Sequence, residues 1–265
     1  MPTPSPYVRE AGHGPGVVCL HANASSSSQW RGLMEMLAPK CHILAADSYG
    51  AGKSPPWPTD RVVRLQDEVA LLDPVFARAG DPFVLVGHSY GAAVALIAAL
   101  SHPNRVRALA LYEPTLFALL DAESPPPNEA DGIRGAVAGA AAALDVGDSA
   151  RAAECFIDYW MGTGAWRGMP ESRQGPIADS VANVRGWAGA LLGEPTPLDA
   201  FRRLNVPVLY MMGSDSPPSS RGVGRLLMQA LPRVECVEFD HLGHMGPVTN
   251  PDVVNNAIAR FLDRN

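Results

Sequence analysis

Lysine is almost missing from this chain of 265 residues: only Lys40 and Lys53 occur. No run of basic residues exists, and the formal net charge is -6. That lacks the electrostatic footprint of a nucleic-acid partner. Long apolar runs are missing too. The longest, Ala92–Leu100, falls well short of the roughly 18–20 residues of a membrane span and reads as a buried helix. The first residues, Met1-Pro2-Thr3-Pro4-Ser5-Pro6, carry no basic and apolar signal segment. Cysteine is scarce and dispersed: Cys19, Cys41, Cys155 and Cys236 form no C-x-x-C pair. Free thiols in a reducing, cytoplasmic setting are expected. What is plentiful is apolar content, at 47% hydrophobic against 18% charged. A chain of this size and composition builds a core without metal or disulfide staples.

Short apolar β-prone runs alternate with helical stretches. Strands are expected at Val17–Leu20, Ile43–Ala46, Phe83–Val86, Val106–Tyr112, Val208–Met212 and Val234–Phe239. Their near-continuous apolar character suits strands covered on both faces. Helices are expected at Gln29–Leu37, Arg64–Arg78, Ala92–Ser101, Ser219–Ala230 and Pro251–Leu262. This alternation predicts an α/β fold with a mostly parallel central sheet and helices on both faces. The pattern breaks between Thr115 and Pro197. Helical pieces at Asp131–Leu144, Ser149–Trp160 and Ile177–Leu192 follow a Pro125-Pro126-Pro127 loop, with no strand-like run. The expected organisation is a core of residues 1–114 and 198–265 with a helical insertion at 115–197.

Gly87-His88-Ser89-Tyr90-Gly91 falls between a strand and a helix. A nucleophilic hydroxyl must stand clear of the sheet, so the chain turns sharply there, and small residues on either side let strand and helix approach. The helix start also offers free N–H groups to a developing anion. Around this motif the chain resembles the α/β-hydrolase fold family over essentially its whole length. Leu20-His21-Ala22-Asn23 resembles the family's His-Gly oxyanion loop, with Ala22 in place of the Gly. Asp47-Ser48-Tyr49-Gly50-Ala51-Gly52-Lys53-Ser54 resembles its Asp-x-x-Gly-x-Gly-x-Ser turn. Gly243-His244-Met245 resembles the loop that delivers the catalytic His, and the insertion falls where such proteins carry a cap.

The resemblance implies Ser89 as nucleophile and His244 as general base. A Ser hydroxyl needs a neighbour to take its proton, and imidazole titrates near neutrality. His21, His88 and His241 are read as loop-shaping or local hydrogen-bonding residues. His241-x-x-His244 has no third ligand in view, so no metal and no cofactor are expected. Two carboxylates can orient His244. The usual family position is Gly-x-x-Asp, whereas here Gly213-Ser214-Asp215-Ser216 brings the acid one residue early. The alternative is Glu113, at the end of the strand after the nucleophile helix. That placement, and the Leu20–Ser26 loop, resemble the haloalkane-dehalogenase branch, and Glu113 is preferred. Ser89 departs from that branch, whose nucleophile is Asp. The amides of Tyr90 and Asn23 are the expected oxyanion donors, and Asp47 is expected to brace its turn.

Trp160, Trp166, Trp187 and Met245 are candidates for an apolar substrate pocket. The expected activity is hydrolysis of a small, largely apolar carboxylic ester through an acyl-enzyme. Lactone, thioester or carbon–carbon bond hydrolysis and cofactor-free perhydrolysis use the same residues. A ligand receptor with a silent triad is the reading of another class. The partner is a small molecule, with neither nucleic acid nor membrane involved, and oligomeric state is left open.

Overall fold

The computed structural model describes residues 4–265. In chain order the elements are β1 Val8–Ala11, β2 Gly16–Leu20, α1 Arg31–Leu37, β3 His42–Ala46, α2 Leu65–Ala79, β4 Phe83–His88, α3 Tyr90–Ser101 and β5 Val106–Tyr112. Five helices follow: α4 Ala118–Glu123, α5 Asp131–Asp145, α6 Ser149–Met161, α7 Glu171–Val181 and α8 Val184–Leu192. The chain then returns through α9 Leu198–Phe201, β6 Val208–Gly213, α10 Pro218–Ala230, β7 Val234–Phe239, α11 Gly246–Thr249 and α12 Pro251–Leu262.

The sheet runs β1-β3-β2-β4-β5-β6-β7. All neighbours pair in parallel except β1 with β3. Alternate strand residues face opposite sides, as the period of a strand requires. On one side Val18, Leu20, Leu44 and Leu85 pack with α2, α3 and α10. On the other, Val17, Cys19, Ile43 and Val86 pack with α1 and α12. Two-sided burial explains why β2 and β4 read as unbroken apolar runs.

Several expectations needed correction. Strand β1 went unpredicted because Val8-Arg9-Glu10-Ala11 lacks an apolar run; it is an antiparallel edge strand, not covered on both faces. Strand β7 is the opposite edge, and Glu235, Cys236 and Glu238 are exposed, so it is not doubly covered as expected. The expected helix at Ile177–Leu192 is two helices parted at Ala182-Asn183. Helix α7 starts earlier, at Glu171, and runs through Pro176. Proline lacks the N–H that would bond back one turn, and this exposed helix tolerates the loss. Helix α4 was not foreseen. The segment between β5 and β6 contains helices and no strand.

In parallel α/β sheets, loops beyond the carboxyl ends of the strands form the binding crevice. Here those ends bring together Ser89 after β4, Glu113 after β5 and the loop after β7 that carries His244.

Candidate active site

Ser89 sits between β4 and α3 with φ 55 and ψ -116. For a residue with a side chain this backbone is strained, and such strain persists only where the surroundings enforce it. Its N–H donates to the Tyr112 carbonyl at 2.9 Å, and its own carbonyl accepts from Ala93 N–H at 3.0 Å. The flanking glycines are required by space. A Cβ at Gly87 would meet Ala92 Cα at 2.5 Å, and one at Gly91 would meet the Leu20 carbonyl oxygen at 2.4 Å.

His244 Nε2 lies 2.8 Å from Ser89 Oγ, and Nδ1 lies 2.7 Å from Glu113 Oε2. The consistent tautomer carries its proton on Nδ1, donates to the carboxylate and leaves Nε2 to accept from the serine. Glu113 is fully buried and His244 is 1% exposed. A buried carboxylate needs hydrogen-bond partners. Its second oxygen, Oε1, accepts from Gly213 N–H at 2.8 Å and from Ser216 Oγ at 2.5 Å. Ser220 Oγ lies 3.2 Å from His244 Nδ1. The loop around His244 is held from below. His88 Nε2 donates to the His244 carbonyl, and the Tyr112 hydroxyl donates to the Gly243 carbonyl, each at 2.8 Å. From above, the Trp160 ring stacks on the imidazole with centroids 3.9 Å apart.

Asp215 is exposed and does not reach His244; its Oδ1 accepts from Ser214 Oγ at 3.0 Å. His241 is exposed with φ 61, and its N–H donates to Ser214 Oγ. His21 is buried and accepts from Ser48 N–H at Nε2, so its Nδ1–H donates to the Ala22 carbonyl. Burial pushes the His21 and His88 imidazoles below the ordinary histidine range, which keeps both neutral. Asp47 accepts from Ser27 N–H and Lys53 N–H and so ties its turn to the loop after β2. Among the described residues no group of three or more His, Cys, Asp or Glu is arranged to hold a metal ion.

Above Ser89 lies a cavity of about 380 Å³, lined by Asn23, Ser89, His244, Met245, Trp160 and Trp187 together with Phe117, Phe156 and several aliphatic residues. Trp166, expected among them, is not a lining residue. It is buried within the insertion, where its backbone N–H donates to Asp158 Oδ1 at 2.9 Å. Met169, three residues on, lines the cavity instead. Asn23 borders the cavity beside Ser89. The Tyr90 amide is the first of α3, where N–H groups have no partner inside the helix.

Three contributors were missed from the sequence. Ser216, which occupies the usual acid position, instead donates to Glu113. Arg173 lies in a polar stretch with no motif around it, yet it lines the cavity. Glu68, on α2, is 1% exposed and accepts from the Tyr90 hydroxyl at 3.1 Å and from Tyr49 N–H at 3.2 Å. Burial raises its carboxyl to about 7. A signal existed for Glu68: it falls on the same helical stripe as Leu65, Val69, Leu72 and Phe76.

A family model described as the alpha/beta hydrolase fold matches residues 15–251. The pimeloyl-(acyl-carrier protein) methyl ester esterase of Nitrosomonas europaea is 25% identical over 257 residues, spanning 93% of this chain and 95% of the relative. A haloalkane dehalogenase of Bradyrhizobium diazoefficiens is 35% identical over 108 residues, which is 40% of this chain. The chain spans only 34% of that relative's length. Among solved structures, carboxylesterase CesB of Bacillus subtilis superposes with a TM-score of 0.76 at 20% identity, covering 98% of this chain and 88% of that one. At that identity the likeness speaks for the fold alone.

Proposed function

The chain belongs to the alpha/beta hydrolase fold family, and from that premise we propose that it is a serine hydrolase cleaving a small, largely apolar carboxylic ester through an acyl-enzyme. The observation that carries this reading is the unbroken hydrogen-bonded line from Ser89 through His244 to Glu113 beneath an apolar cavity. His244 Nε2 takes the hydroxyl proton as Ser89 Oγ attacks the ester carbonyl. Glu113 stabilises the imidazolium and keeps the ring in the productive tautomer. The amides of Tyr90 and Asn23 receive the negative charge on the former carbonyl oxygen. Collapse of the tetrahedral intermediate expels the alcohol, which takes the proton from His244. Water then attacks the acyl-enzyme with the same proton shuttle in reverse order, releasing the acid and restoring Ser89.

In this reading residues 1–114 and 198–265 are the catalytic core, and residues 115–197 are a cap. Trp160 and Trp187 from the cap, and Met245 beside the base, shape the acyl site. The nearly full-length similarity to a methyl ester esterase supports ester hydrolysis. The serine at position 89 argues against halide displacement, because that chemistry forms an ester on a carboxylate nucleophile. All four cysteines are free thiols, which suits a reducing compartment such as the cytoplasm.

The test is Ser89→Ala. Turnover of p-nitrophenyl esters should fall by roughly 10³–10⁶, as expected for the nucleophile of a concerted unit. Labelling by a fluorophosphonate, which maps to Ser89 in the wild type, should vanish. Near-normal turnover by the pure variant overturns the serine mechanism.

A further inference from the structure

We infer that Arg173 binds a carboxylate at the remote end of the substrate, so that the preferred ester has an apolar chain ending in an anion. This inference rests on the serine-hydrolase reading and names its substrate class. Arg173 lies in the first turn of α7 and lines the catalytic cavity. Among the described residues no Asp, Glu or Lys lines that cavity, so the guanidinium is its one permanent charge. Each of the other arginines of the insertion pairs with a carboxylate. Arg134 pairs with Asp121 and Asp131, Arg151 and Arg167 share Glu154, and Arg185 pairs with Asp145. Arg173 has no such carboxylate among the described residues. In an acidic chain with a net charge of -6, the one insertion arginine left without a counter-ion is the one facing the cavity.

Its position suits a charged end rather than the reacting centre. Arg173, Ala24, Ser25 and Ile177 border both the cavity and an open groove past Gly50, Gly52 and Ser172, whose farther wall includes Asp179, which makes no ion pair with Arg173. They therefore mark the mouth. An anion held there stays in contact with water and avoids the large cost of burying a charge. The walls between, with Trp187, Leu191 and Ile177, would accept methylene groups and repel a carboxylate. The backbone that carries Arg173 is tied down. Its N–H donates to the Pro170 carbonyl at 2.9 Å. The adjacent Gln174 donates from Nε2 to the carbonyls of Trp166 and Met169 at 3.2 and 2.9 Å. A guanidinium presents two parallel N–H groups that match a carboxylate.

The experiment compares kcat/KM for paired esters of equal length. One pair sets p-nitrophenyl hemiesters of adipic and suberic acid against p-nitrophenyl hexanoate and octanoate. A second pair places the carboxylate on the alcohol side, as butyrate esters of 6-hydroxyhexanoate and of hexanol. The expected result is a preference for the anionic member of at least one pair, roughly fivefold, the scale of a partly exposed ion pair. Added salt should shrink it. Arg173→Gln should bring the ratio to about one, Arg173→Glu should reverse it, and Arg173→Lys should keep part of it. The inference is overturned if the wild type shows no anionic preference in either pair, or if Arg173→Gln and Arg173→Glu leave the ratio as it was. Fluorophosphonate labelling of Ser89 in the same samples separates the two claims. A labelled wild type without the preference defeats this inference alone; an unlabelled one defeats the serine reading beneath it.

Discussion

Two neighbouring strands of the sheet, β5 and β6, each deliver a carboxylate just past their ends, and the molecule uses the two ends in opposite ways. After β5 the chain enters Glu113 with φ 45, and the side chain turns inward to His244. Its backbone still bonds to β6, through Glu113 N–H to the Met211 carbonyl at 3.1 Å. After β6 the backbone itself supports the site. Ser214 N–H donates to the Phe239 carbonyl at 3.0 Å, and Asp215 N–H donates to the Leu242 carbonyl at 2.9 Å. These bonds hold the loop that leads into His244, while the Asp215 carboxylate faces solvent. Gly213, Ser216 and Ser220 then supply the donors and hydroxyls around the Glu113–His244 pair. Proximity along the chain therefore does not decide which acid reaches His244. The direction of the side chain and the supply of buried donors do.

The largest expected effect comes from removing the inward acid. Glu113→Gln keeps the shape but offers the wrong partner to Nδ1, and such a change lowers turnover by roughly 10⁴. Steady-state kinetics on a neutral ester, with circular dichroism to check folding, measure it. A loss under about tenfold would break the contrast between the two strand ends.

A second buried acid sharpens the contrast, because it faces no imidazole. Glu68 meets the Tyr90 hydroxyl and the Tyr49 amide, and burial raises its carboxyl from 4.5 to about 7. The unfolded chain releases this proton near 4.5, whereas the folded chain holds it until about 7. Stability from this group is thus present in acid and is lost as pH rises through that window. The loss should amount to about 3 kcal/mol. Urea unfolding at either end of the window should show it in the wild type and not in Glu68→Gln. A wild-type slope equal to that of the variant would remove Glu68 from the account of Tyr90.

The smallest effect belongs to the outward acid. Asp215→Asn leaves the backbone N–H in place, so the His244 loop keeps its support. At least about a tenth of the wild-type rate should remain, a barrier change under roughly 1.4 kcal/mol. The same kinetic assay checks it, and a loss approaching that of Glu113→Gln would contradict the different uses of the two ends.

Much of this arrangement was legible in the residues. The strand, Gly-x-Ser-x-Gly and helix succession is dictated by steric limits that act locally, so Ser89 and its setting stand out. The doubly covered strands announce themselves as apolar runs. Edge strands do not: β1 and the outer face of β7 are polar, and their pairing depends on partners far along the chain. The choice between Glu113 and Asp215 turns on a positive φ and on side-chain direction, neither of which composition or spacing reports. Pocket walls are harder still. Trp160 and Trp166 lie six positions apart in one segment, yet the first stacks on His244 and the second is buried away from the cavity. Arg173 stands in a polar stretch like the other insertion arginines, and only the three-dimensional pairing of Arg134, Arg151, Arg167 and Arg185 with carboxylates sets it apart.

The account turns most directly on which carboxylate holds the His244 ring. Proton NMR of the resting protein at low temperature can see the hydrogen-bonded Nδ1 proton, far downfield of the backbone amides. The wild type should show this resonance, Asp215→Asn should keep it, and Glu113→Gln should lose or markedly shift it. A resonance that survives Glu113→Gln unchanged and disappears in Asp215→Asn would contradict the account and transfer the role to the end of β6.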